Sequence, residues 1–193
     1  MTDTSAAQFS DLATRGDPPF DRLLLALAAE FHGVDEDAAL DELDELARPL
    51  FGIGGQGPHA AGERIAAELG RRLKPDVAGV DDLFLDRVLR EHRGHPALLA
   101  VVYVEVARRA GASLSLLSSQ DAWFAGLVAE EEAVLVDPAR TASALEGSFT
   151  LRRHCAHEVA HAVLCELARR YRALGAADHA KRAAELCLAL PLK

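Results

Sequence analysis

His157-Glu158-Val159-Ala160-His161 sets two imidazoles four residues apart with a glutamate beside the first. On a helix, residues at i and i+4 share a face, so His157 and His161 can hold one zinc ion while Glu158 deprotonates its bound water. Metal-assisted hydrolysis is the chemistry of that pattern. It needs a third ligand, and Glu185 lies far enough along the chain to come back on an antiparallel helix. His154 cannot share an ion with His161, because a rise of about 1.5 Å per residue puts the two roughly 10 Å apart. With eight histidines and abundant glutamates the pattern also arises by chance, so a packing helix is the competing reading. The expected cofactor content is none, zinc at His157 and His161 being the alternative.

Gly52-Ile53-Gly54-Gly55-Gln56-Gly57 satisfies GxGxxG, which cradles a pyrophosphate when a strand precedes it and a helix N-terminus follows its last glycine. Here a helical pattern precedes it and Pro58-His59 stands between it and the next one, so a flexible interhelical loop is expected. Cys155, Cys165 and Cys187 are an odd set without CxxC spacing, which reads as free thiols of a reducing compartment. Cys165 and Cys187 are expected on apolar helix faces, packed inside.

Further upstream, Val88-Leu89, Arg93-Gly94, Pro96, Leu99, Tyr103 and the run Ala107-Arg108-Arg109-Ala110-Gly111 occur in one order and spacing. That stretch resembles the central helix of transglutaminase-like proteins, and within them the SirB-type branch. In such cores a Cys opens the helix, where the positive end of the helix dipole favours a thiolate. A strand then carries a His, and the next strand an Asp that orients it. By this resemblance Pro96 stands at the nucleophile position, Ala122 at the His position within Gln120-Asp121-Ala122-Trp123, and Asp137 at the Asp position ahead of Pro138. Proline is usual at the first of these in the SirB-type branch, whose Pro-Gly-His-Phe strand is lost here. Losing the nucleophile or its base costs on the order of 10⁶ in turnover. The resemblance therefore implies a bacterial, cytoplasmic pseudoenzyme that binds a protein partner or small ligand in a vestigial cleft lined by His95 and Trp123. A zinc-dependent hydrolase centred on His157, Glu158 and His161 is the alternative, and a scaffold working through its C-terminal helices a third reading.

The elements that must position these residues follow from periodicity. Leu23, Leu24, Leu27 and Phe31 mark one helix, and Leu40, Leu43, Leu46 and Leu50 a second with a solvated acidic face. Ile65, Leu69 and Leu73 mark a third. Pro96 suits a first helical turn. Residues 113–119, 122–128 and 133–137 read as strands, with Glu130-Glu131-Glu132 at a reversal. Two helices, about 154–174 and 178–190, close the chain and resemble a tetratricopeptide-like hairpin. The expected fold is α+β and helix-dominated: a flexible tail (residues 1–17), an N-terminal helical lobe (18–74), a transglutaminase-like core with its central helix on a small antiparallel sheet (80–148), and a C-terminal helical hairpin (150–193).

The net charge of −9 argues against nucleic acid as a partner. No apolar run approaches membrane-spanning length, and the polar start lacks the basic and apolar regions of a signal peptide.

Overall fold

The computed structural model describes residues 3–120, 122–128, 133–140, 144–145 and 150–191. Its helices are α1 (Asp3–Thr14), α2 (Phe20–Ala29), α3 (Glu36–Ala47), α4 (Pro58–Arg72), α5 (Leu85–Glu91), α6 (Pro96–Arg109), α7 (Ala156–Ala173) and α8 (Ala177–Ala189). The strands are β1 (Lys74–Pro75), β2 (Arg93–Gly94), β3 (Ser115–Ser119), β4 (Ala122–Val128), β5 (Ala133–Val136), β6 (Ala144–Leu145) and β7 (Arg152–Arg153). The last five form an antiparallel sheet in the order β6-β5-β4-β3-β7, while β1 and β2 make a short parallel pair. The protein is thus α+β and dominated by helix. No helix among the described residues is long and apolar enough to cross a membrane. The acidic run 130–132 lies outside the described residues.

α6 is the centre. Every residue from Ala97 to Ala107 is buried, as expected of a helix that is apolar nearly all round. Its charged residues, Glu105, Arg108 and Arg109, are paired with opposite charges. Glu105 Oε2 accepts from Arg108 Nη2 and from Arg109 Nη1, both at 2.7 Å. Arg109 Nη2 also donates to Asp21 Oδ2 of α2 at 2.7 Å, and its Nε to Asp44 Oδ1 of α3 at 2.8 Å. Asp21, Glu105 and Arg109 therefore tie α2 to α6 with little water contact, and the exposed Asp44 adds α3.

Two expectations are corrected. The segment expected as a flexible tail (residues 1–17) holds a docked helix over its described part: α1 buries Phe9, Leu12 and Ala13 in the main hydrophobic cluster. The reason is an apolar i, i+3, i+4 face that the polar composition of the segment hides. Nor is the glycine segment loose. Ile53 is fully buried, and a Cβ on Gly54 would lie 2.0 Å from the Gly111 carbonyl oxygen. The loop is packed against the end of α6. Moreover α4 starts at Pro58, with Gly57 as its N-cap, so proline opens that helix rather than delaying it. The element before the glycine motif is the 3-10 turn Arg48–Leu50 and no strand, so the pyrophosphate cradle lacks its strand.

α7 and α8 pair as the expected hairpin. Gly175 (φ +73) takes the left-handed conformation between them, and Ala176 N–H closes back on the Tyr171 carbonyl at 2.9 Å. The main cluster draws side chains from α1, α2, α6, β4, α7 and α8 alike. One core serves all the expected segments.

Candidate functional site at the start of the central helix

Gly94 ends β2 and must lie close to α5, since a Cβ there would meet Val88 Cγ2 at 2.3 Å. This close approach delivers His95 and Pro96 to the head of α6. The His95 amide donates to the Asp82 carbonyl at 2.9 Å, and its Nδ1 accepts from the Ala97 amide at 3.2 Å. The imidazole is thus the helix N-cap, a role that needs an unprotonated Nδ1. Burial, then the charge of Arg170 on α7, pulls the His95 pKa below 6.5 against Glu166 and Asp82. Pro96 is the first helical residue and half-buried. All three thiols stand elsewhere, Cys155 at the N-cap of α7, Cys165 on α7 and Cys187 on α8.

Asp137 follows β5 and is buried. Its Oδ1 accepts from the Ala139 amide at 2.8 Å. Its charge acts on Tyr103, whose pKa is raised by burial first and by Asp137 second. Tyr103 lies two turns along α6 from Pro96, on the same stripe. Ala122 and Trp123 divide between the faces of the sheet, as alternation requires. Trp123 packs with Ala125 on the main cluster, whereas Ala122 packs with Phe124 on a smaller one. The residue turned towards the main core is therefore Trp123.

A histidine lies beside it. The Trp123 and His154 ring centroids are 4.8 Å apart, and His154 Nε2 is 2.7 Å from Ser118 Oγ on β3. Sequence reasoning missed this contact. The bond from His154 to Ser118 crosses 36 residues, and no local pattern encodes it. Burial is the main cause that lowers the His154 pKa below 6.5, aided by Arg152 and opposed by Glu158. Between that value and 6.5 the unfolded chain binds a proton that the folded chain refuses. The contribution of His154 to stability is therefore complete above pH 6.5 and declines as pH falls through that window. Because an imidazolium quenches indole emission, Trp123 fluorescence should fall with a midpoint below 6.5. A pH titration of His154→Gln should lack the step.

The His157-Glu158-xx-His161 side chains go three ways. His157 is buried and its Nε2 donates to the Ala13 carbonyl of α1 at 3.0 Å. Glu158 accepts from the Cys155 amide at 3.1 Å and pairs with Arg152. Burial opposes its ionisation, yet these partners hold its pKa below the usual range. Glu185 is engaged at the surface by Lys181 and Arg182. His161 faces Cys165 instead. The ligand-bearing group that the fold does assemble among the described residues is His161, Cys165 and Cys187, without His157.

No curated protein matches the chain significantly. Among solved structures it is similar to menin, whose structure is described as revealing the binding site for Mixed Lineage Leukemia (MLL) protein, with a TM-score of 0.59 at 13% identity. That similarity covers 83% of this chain and 45% of menin's, so the chain spans less than half of the menin chain, and the likeness is one of fold. Residues 66–175, more than half of the chain and including α6, β3 to β5 and α7, match the model of the transglutaminase-like superfamily. The central helix packed on an antiparallel sheet and this match agree: the chain belongs to the transglutaminase-like superfamily.

Proposed function

We propose that the protein is a SirB-type transglutaminase-like binding module of the cytoplasm that performs no acyl transfer. The observation that carries this reading is Pro96 as the first residue of α6, where the family's resemblance puts the nucleophile. A proline offers no thiol, the Ala97 amide is spent on the His95 ring, and the Leu98 and Leu99 amides are spent on the His95 carbonyl. Pro96, Ala122 and Asp137 are the vestigial triad positions in this reading. His95 and Trp123, both half-buried, are the residues that meet a partner. Free thiols on α7 and α8 support a reducing setting. Menin supports the principle that this type of fold can serve a binding role, since its structure is described by a protein-binding site.

A ligand there would be an apolar segment of a protein or a small molecule, anchored on the indole and able to share a hydrogen bond with an imidazole. The purified protein should show no amidase, protease or transglutaminase turnover. Turnover on amide or ester substrates that iodoacetamide abolishes would defeat the proposal and direct attention first to Cys155.

A further inference from the structure

We propose that His161, Cys165 and Cys187 form a zinc(II) site that clasps α7 to α8. This rests on side chains other than those at the head of α6 and stands whether or not that region binds a partner. His161 and Cys165 are one turn apart on α7, and α8 returns antiparallel to present Cys187 to the same point. Cys165 Sγ lies 3.4 Å from Cys187 Sγ and 3.8 Å from either ring nitrogen of His161. The ligand atoms of all three residues fall within 4.8 Å of one another.

These distances match the edges of a coordination tetrahedron. With Zn–S near 2.3 Å and Zn–N near 2.0 Å, two sulfurs on one zinc are about 3.8 Å apart and a sulfur and nitrogen about 3.6 Å. The sulfur–sulfur edge and the Cys165–His161 edge are thus each within about 0.4 Å of what one ion requires. The widest edge closes by rotation of the His161 ring, since the equal distances from Cys165 show that neither nitrogen is yet aimed at the sulfurs. Two thiolates neutralise the charge of zinc, and two sulfurs with one imidazole select it over the hard cations calcium and magnesium. Binding releases the thiol protons to solvent as the two Zn–S bonds form. Cys165 is exposed, which gives the ion an entry path and leaves a fourth position for water. Three protein ligands and one open position are the arrangement of zinc sites that act on an external ligand.

Cobalt(II) is the probe, added to the reduced, chelator-stripped full chain before competition with zinc. The expected result is one equivalent bound per monomer, with a thiolate-to-cobalt charge-transfer band and the visible bands of tetrahedral cobalt, all removed by zinc. Cys165→Ser changes a solvent-facing atom and keeps the fold, so circular dichroism should be unchanged while affinity drops at least tenfold and the charge-transfer band weakens. His161→Gln should lose affinity to a similar degree, whereas Cys155→Ser and His157→Gln should retain the spectrum. No cobalt uptake by the wild type, unchanged affinity in folded Cys165→Ser, or one ion shared between two chains would each overturn the assignment.

Discussion

Arg109→Ala should destabilise the protein by about 3–5 kcal/mol, because it takes from two buried carboxylates the buried guanidinium between them. Asp21 and Glu105 are each 2% exposed, and the guanidinium between them reaches both at 2.7 Å. Burial alone opposes the charge on Arg109, yet the bonds to Asp21 and Glu105 raise its pKa. Arg108 also reaches Glu105 at 2.7 Å and Asp21 at 3.6 Å, but its side chain is 58% exposed, so Arg108→Ala should cost no more than about 1 kcal/mol. Urea unfolding of both variants decides the matter. An equal effect in the two would show that Glu105 is held by either arginine. Neutralising the carboxylates together with the arginine, as Asp21→Asn, Glu105→Gln and Arg109→Met, should recover much of the loss, since the penalty comes from unpaired charge.

Phe9→Ala should cost about 3–5 kcal/mol, the range for truncating a buried phenylalanine. Phe9 is 1% exposed, and Leu12 and Ala13 beside it join the core that α2 and α7 share. The next carbonyl interaction along α1 holds His157, so the helix docks by a hydrogen bond as well as by apolar area. Substitution in a frayed segment would change stability by less than about 0.5 kcal/mol. A shifted urea midpoint at constant slope would mark the full effect as folded-state packing, while no shift would return residues 3–14 to the status of a tail.

Arg109 and Phe9 differ in how much of their role is written locally in the sequence. Arg109 belongs to the run Ala107-Arg108-Arg109-Ala110-Gly111 by which the family resemblance was recognised, but nothing in that run names Asp21, 88 residues away, as its partner. Phe9 sits in a polar, small-residue segment with a single aromatic, whose periodicity is too weak to show its buried face. Its helix is stabilised by docking more than by propensity. The glycine segment is a third instance. Its composition suggested freedom, whereas Gly54 is there because the Gly111 backbone leaves no space for a side chain.

What the sequence by itself determined is the set of features written in local order: the apolar period of α2, α3 and α4, proline as the opening residue of α6, the β4 strand with its bounds, and the closing hairpin. These follow from spacing and from the conformational limits of proline and glycine, which act within a few residues. Tertiary structure alone decided which side chains meet. It turned Trp123 rather than Ala122 to the main core and set His154 against it. It drew His157 towards α1, away from the shared site that its spacing with His161 suggested, and gave His161 two thiols instead. The physical reason is that helix phase fixes a side chain's direction but not its neighbours. Those depend on how α1 docks and where α8 returns, and the burial of a common core sets both.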